Sequence, residues 1–148
     1  MHTLKQITSQ DTFAVRQPVL RPGKTVETCI FDGDDLPTTI HFGIFEGEVL
    51  AGIISVFKAS HDFFTEKGQY QIRGMAVLDS FQKRGLGEKL VRHTEDYVNN
   101  LQGEQIWFNA REIAVGFYER MGYSIIGDAF PIGDIGPHYV MHKKISVS

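Results

Sequence analysis

The chain has 148 residues and a mass of 16.7 kDa, the size of one domain with its own core and no need of a disulfide or metal staple. Its 42% apolar and 22% charged residues exclude a disordered chain, a collagen and a coiled-coil rod. A net charge of −3 without a basic run argues against nucleic acid as a partner, and no apolar stretch approaches the length that crosses a membrane. The opening MHTLKQITSQ is polar, so no secretory leader is expected, and a lone cysteine, Cys29, fits a reducing cytoplasm.

A single domain over 1–148 is expected, since no repeat or Pro/Gly/Ser-rich linker divides the chain. His2 to Ile7 reads as a first strand. Ser9 is expected to cap a helix over 10–20, with Asp11 in its first turn and Pro18 kinking or ending it. The stretch RPGKTVETCIFDGDDLP, residues 21–37, reads as an irregular loop with a short strand at 27–31. Thr38 to Phe45 and Val49 to Phe57 are rich in β-branched and aromatic residues on either side of Glu46-Gly47-Glu48, which predicts a hairpin. Tyr70 to Leu78 is a further long strand.

From Gly85 the period changes. Leu86, Leu90, Val91, Thr94, Tyr97 and Val98 recur at helical spacing, and Gly103 ends the segment. Gln105 to Asn109 is a short strand. Ile113, Ala114, Phe117, Tyr118 and Met121 share a helical face, with Gly122 placed to terminate it. Tyr123 to Ile126 and Tyr139 to Ile145 are the last two strands. The order from the hairpin onward is β-β-β-α-β-α-β-β, a mixed α/β pattern around one central sheet.

The sharpest chemical signal is Gln82-Lys83-Arg84-Gly85-Leu86-Gly87, which joins a strand to the start of an amphipathic helix. Two glycines two apart let a ligand approach the backbone. The helix start offers unpaired N–H groups and a partial positive charge, and so suits phosphate oxygens. Lys83 and Arg84 add charge beside it. The plainer reading is a strand-to-helix turn whose glycines only relieve strain. No Walker-type G-x-x-x-x-G-K-[ST] loop is present, nor the third glycine and acidic residue of a dinucleotide site.

The motif Q-K-R-G-L-G resembles the [QR]-x-x-G-x-[GA] pyrophosphate loop of the Gcn5-related N-acetyltransferases. Ile72-Arg73-Gly74-Met75-Ala76-Val77 resembles that family's fourth strand. Trp107 to Tyr123, W-F-N-A-R-E-I-A-V-G-F-Y-E-R-M-G-Y, resembles its fifth strand and following helix. Pro137-His138-Tyr139-Val140-Met141 resembles the last strand of small bacterial members. The resemblance implies an α/β fold with a mixed, mostly antiparallel central sheet flanked by helices, its fourth and fifth strands splayed. It implies acetyl-CoA lying between those strands, its pantetheine arm paired with the backbone of Met75, Ala76 and Val77. The pyrophosphate would lie against backbone N–H groups of Lys83, Arg84, Gly85, Leu86, Gly87 and Glu88, with Gln82, Asn109 and Phe117 as further cofactor-binding positions. It implies Tyr118 as the general acid that protonates the departing CoA thiolate. Read without the resemblance, Tyr118 is more readily a core tyrosine with a satisfied hydroxyl.

The sequence departs from the family in two places. Arg111 stands where many relatives carry an asparagine, and the fourth strand offers Tyr70, Gln71 and Arg73 but no glutamate as general base. The amine proton must then leave through water, a backbone carbonyl or a histidine. His41 and His138 are the candidates, since histidine alone exchanges protons near neutral pH without a perturbed environment; each is also readable as a packed side chain. His138 and His142 would stand about 13 Å apart on one strand, too far to share a metal, and no metal is expected. Asp32, Asp34 and Asp35 read as a solvated acidic loop or as an attraction for a cationic acceptor. Arg16 and Arg21 could instead bind a carboxylate on the acceptor.

The expected function is transfer of an acetyl group from acetyl-CoA to a small-molecule or peptide amine by direct attack in a ternary complex. A non-catalytic acyl-CoA sensor and an acyltransferase for longer acyl groups are the alternatives. A homodimer is the expected assembly.

Overall fold

The computed structural model describes residues 2–145. Seven strands form one sheet: β1 (His2–Ile7), β2 (Ile40–Glu46), β3 (Val49–Lys58), β4 (Gln69–Val77), β5 (Gln105–Arg111), β6 (Ser124–Pro131) and β7 (Pro137–Lys144), in the order β1-β2-β3-β4-β5-β7-β6. The α-helices are α1 (Phe13–Val15), α2 (Leu86–Asn100) and α3 (Val115–Arg120). The backbone groups into two compact units. The first holds the chain up to Lys58 together with Ile72–Asp96, and the second holds Ala59–Gln71 and the chain from Tyr97 onward.

In the first unit, β1 and β3 flank β2 in antiparallel register, Ile7 facing His41 and His41 facing Ser55. β3 is buried from Ala51 to Phe57 without alternation, the mark of a strand covered on both faces. Ile7, Val15, Ile53 and Ala76 pack together, and α2 buries Leu86, Leu90 and Val91. The helical segment over 10–20 departs from a regular helix. It is a 3-10 turn, then α1, then a π turn over Arg16–Leu20. Pro18 has no N–H to continue the ladder, and Arg21 closes the wider turn by donating to the carbonyls of Arg16 and Gln17 at 3.0 and 3.2 Å. The expected cap also moves. Ser9 makes no capping bond. The Thr8 N–H donates to Asp11 Oδ2 at 3.0 Å and the Asp11 N–H to Thr8 Oγ1 at 3.1 Å, a reciprocal pair one residue earlier. The strand expected at 27–31 is a 3-10 turn, Val26–Cys29.

In the second unit, Gln69, Gln71 and the residue between them pair in parallel with Gln105–Trp107. That three-residue ladder is all the register β4 and β5 share, so the two strands splay as expected. β7 pairs antiparallel with both β5 and β6. α3 ends as its sequence predicts. Gly122 takes φ +97°, its N–H donates to Glu119 O at 3.0 Å, and the Tyr123 N–H donates to Tyr118 O at 3.1 Å, the double bond of a Schellman ending. Ile113, expected on the apolar face of that helix, lies in the preceding 3-10 turn and is 90% exposed.

Candidate functional site: an N–H cradle and a buried tyrosine

The motif at 82–87 forms a turn between β4 and α2. Gln82 donates its side-chain amide to Val77 O at 3.0 Å and to Asp79 Oδ1 at 3.2 Å. Gln82 thus closes the 3-10 turn Asp79–Phe81 and occupies one of the β4 carbonyls expected to face pantetheine. Lys83 has φ +64° and Gly85 φ +77°. A lysine in that region is unfavourable by about 1–2 kcal/mol, and such strain persists where the surroundings demand it. Turns with left-handed residues of this kind are the ones that form anion-binding concavities of backbone N–H groups. Among the described residues, the N–H groups of Lys83, Arg84 and Gly85 have no backbone acceptor, and the first helical bond runs from Lys89 N to Gly85 O. The N–H groups of Leu86, Gly87 and Glu88 therefore point out of the helix start unpaired. A Cβ on Gly85 would meet nothing within 4 Å, so the cradle is open. Arg84 pairs with Glu46 at 3.1 Å. On β4, Ala76 is buried while Met75 and Val77 are half-buried.

The acidic loop is not a solvated surface at Asp34. Asp34 is buried and takes a bidentate bond from Arg16, Nη1 to Oδ2 at 2.7 Å and Nη2 to Oδ1 at 3.0 Å. Arg16 also donates to Cys29 O at 2.8 Å and to Ser55 Oγ at 3.0 Å. Burial alone would push the Asp34 carboxyl up, but the Arg16 bond, the Phe31 N–H and the charges of Arg16 and His41 together hold it below the usual 3.8. Arg16 is thus spent inside the protein, a correction to its expected place at the acceptor. His41 is sealed in the same network, with Nδ1 on Ser55 Oγ at 2.7 Å and Nε2 on the Asp34 carbonyl at 2.9 Å. A carbonyl only accepts, so Nε2 carries a proton and donates to it, while Nδ1 shares the second bond with Ser55 Oγ. Both ring nitrogens are committed, so the expectation that His41 relays a proton at the acceptor gives way to a structural role. Arg21 is half-buried and donates to Leu20 O.

In the second unit Tyr118 packs in an aromatic group with Phe108 at 4.3 Å, Phe117 at 5.0 Å and Tyr123 at 6.1 Å between ring centroids. Burial pushes its phenol up to about 12. Among the described residues its hydroxyl has no hydrogen-bond partner, yet it is not a sealed orphan. Phe117 is half-buried, and Asn109 is exposed on β5, opposite Val140. His138 is buried, with Nδ1 on the Gly136 carbonyl at 2.9 Å, which leaves Nε2 as the acceptor nitrogen of the neutral ring. Among the described residues no group of three or more His, Cys, Asp or Glu could hold a metal ion, and no helix is long and apolar enough to cross a membrane.

A mixed sheet with splayed β4 and β5 and an N–H cradle leading into α2 are the features that the sequence resemblance implies. The acetyltransferase (GNAT) family profile matches residues 4–123, and the chain belongs to that family, whose members take the acetyl group from acetyl-CoA. Over 148 residues it is 32% identical to the uncharacterised N-acetyltransferase YitI of Bacillus subtilis (strain 168), covering 100% of this chain and 99% of that one. In fold it is similar to the ribosomal-protein-S18-alanine N-acetyltransferase of Escherichia coli, with TM-score 0.78 and 18% identity over 100% of this chain and 96% of that one. It is also similar to an aminoglycoside 6'-N-acetyltransferase solved with coenzyme A, with TM-score 0.76 and 17% identity over 97% of each chain.

Proposed function

We propose that the protein moves an acetyl group from acetyl-CoA to an amine by direct attack, with Tyr118 as the acid toward the leaving sulfur. The observation that carries the reading is the run of open N–H groups from Lys83 to Glu88 at the start of α2, which suits a pyrophosphate. The amine lone pair forms the N–C bond, the C–S bond breaks, and its electron pair goes to sulfur. No enzyme nucleophile is needed, so the buried Cys29 has no part in it. The amine proton leaves to water or to Nε2 of His138.

Burial refines the role of the tyrosine. A phenol at about 12 is protonated throughout the range in which enzymes work. A free thiol titrates near 8.5, so full transfer to the thiolate is uphill by about 3.5 units, roughly 5 kcal/mol. The donation is therefore a hydrogen bond that strengthens as charge builds on sulfur. Release of free CoA from acetyl-CoA with a panel of amines, followed against pH, tests the whole scheme. Tyr118→Phe should lower kcat at least roughly tenfold with little change in acetyl-CoA affinity. Because burial raises the phenol, the parent should show no alkaline loss from Tyr118 below about pH 11. In the same assay His138→Gln should lower kcat with little change in acetyl-CoA affinity. Full kcat in Tyr118→Phe at every pH would remove the tyrosine from the reaction, and full kcat in His138→Gln would remove His138.

A further inference from the structure

Around the side chain of Phe31 the first unit gathers three guanidinium groups from distant parts of the chain. Arg16 lies 3.8 Å from the ring centroid, Arg73 4.9 Å and Arg21 5.8 Å. Arg16 is neutralised by Asp34, and the other two are not. Arg73 is half-buried, donates to one carbonyl, Asp32 O at 3.3 Å, and also lies 5.1 Å from the Phe57 ring centroid; Arg21 is half-buried and donates to Leu20 O at 3.0 Å. Neither makes an ion pair with a described carboxylate. Two positive charges held this close, and partly out of water, repel each other. Arg73 loses some hold on its proton through burial first, and through Arg16 and Arg21 as well, while Asp34 and Asp32 oppose the loss.

A second, independent feature points into the same place. Of the five donors of Arg16, Nε alone has no partner, although the residue is fully buried. An unsatisfied donor of that kind is costly and calls for an explanation. It lies 3.6 Å from where a side chain on Gly74 would begin, and that Cβ would come 2.8 Å from Phe31 Cε2. Gly74 also takes φ +65° in the middle of β4, which interrupts the strand between Arg73 and Met75. A side chain at Gly74 would run into Phe31, so the glycine lets β4 pass close to the ring and to the orphaned N–H, with the two unpaired guanidiniums around the same ring. Arg73 stands two residues before Met75, the first of the β4 positions that the family resemblance pairs with the pantetheine arm.

We propose that the acceptor amine carries a carboxylate, and that Arg73 and Arg21 bind it above Phe31. The inference rests on the acetyltransferase reading and names its substrate class. Planar guanidiniums suit a carboxylate's two oxygens.

The test uses the whole chain, acetyl-CoA and matched acceptors: glycine, β-alanine and longer ω-amino acids, each beside its carboxamide and its phosphonate. CoA release is followed at fixed pH for the parent, Arg73→Gln, Arg21→Gln and Arg73→Lys. For the preferred acceptor, each glutamine variant should raise KM roughly 10–100-fold with kcat little changed. Each should leave the carboxamide unaffected, and Arg73→Lys should recover part of the loss. Because each acid is compared with its own amide across variants, differences in amine basicity cancel. Equal losses for acid and amide, or a preference for the phosphonate, would overturn the carboxylate assignment. So would a protein that acetylates only neutral amines, or one that binds acetyl-CoA and turns over none of the acids. Absence of CoA release with every amine, together with no thermal stabilisation by acetyl-CoA, would instead sink the acetyltransferase reading itself.

Discussion

Arg16 shows how far one residue's environment can depart from what its neighbours in sequence suggest. Its guanidinium is enclosed, yet four of its five donors are met by Asp34, Cys29 and Ser55. Removing one partner of a buried pair leaves the other charge stranded, at a cost of about 3–5 kcal/mol, while replacing both with apolar groups is far milder. Asp34→Ala should therefore lower the unfolding free energy by about that amount, and Arg16→Met with Asp34→Leu by much less than the single change. The Asp34 carboxyl titrates lower in the folded chain than its usual 3.8. Its contribution is thus complete above the unfolded value and is lost as pH falls through the lowered one. Urea midpoints measured from pH 6 down to 2 should fall below about pH 4 in the parent and fall less in Asp34→Asn. Equal acid sensitivity in the two proteins would mean that other carboxylates set it. None of this pairing was legible in the sequence. His41 and Ser55 meet through the β2–β3 register and Arg16 and Asp34 reach them from the π turn and the loop, and the spacing of three aspartates in a loop looks the same whether they face water or an arginine. Phe31 and Arg73 were missed as a site for the same reason.

At the scale of elements, local signals read well where the chain's own chemistry decides. The turn at Gly47 between β2 and β3, the apolar stripe of α2 and the Gly122 ending of α3 all stand as the sequence predicts. The misses occur where a partner decides. The 27–31 segment has β-branched and aromatic residues but no neighbouring strand to pair with, and it winds into a 3-10 turn. β6 runs on to Pro131 because Gly127 and the register shift between Ile126 and Phe130 absorb a bulge against β7. The helix start at 8–11 is a finer case, since Thr8 and Ser9 are both good capping residues. The Asp11 carboxylate selects Thr8, because a capping box needs its acid three residues on. Thr8→Ala should cost about 1 kcal/mol of stability. Ser9→Ala gives up only an exposed bond to Asp35 and should cost clearly less. Thermal melts of the two variants decide it, and the reverse order would return the cap to Ser9.

For the whole molecule the family profile covers residues 4–123, and the fold was legible because two motifs in the right order fixed it, the 82–87 turn and the Trp107–Tyr123 segment. Acetyl-CoA binding should then be visible in stability before any acceptor is known. A ligand that binds only the native state stabilises it by about 2.7 kcal/mol at a concentration one hundred times its Kd. For a chain of 148 residues each kcal/mol moves Tm by about 2–4 °C, so a rise of about 5–11 °C is expected. The control is Gly87→Glu. An acid in the first turn of a helix is favourable to the helix itself, as Glu88 already is, and glutamate is a better helix former than glycine. The variant should therefore fold with a Tm near that of the parent. Its carboxylate would stand among the N–H groups from Lys83 to Glu88, where it repels phosphate and competes for the donors. Loss of the acetyl-CoA shift in an otherwise intact variant places the pyrophosphate on this turn. A full shift in Gly87→Glu would put the phosphates elsewhere and leave the strained Lys83 without the role given to it here.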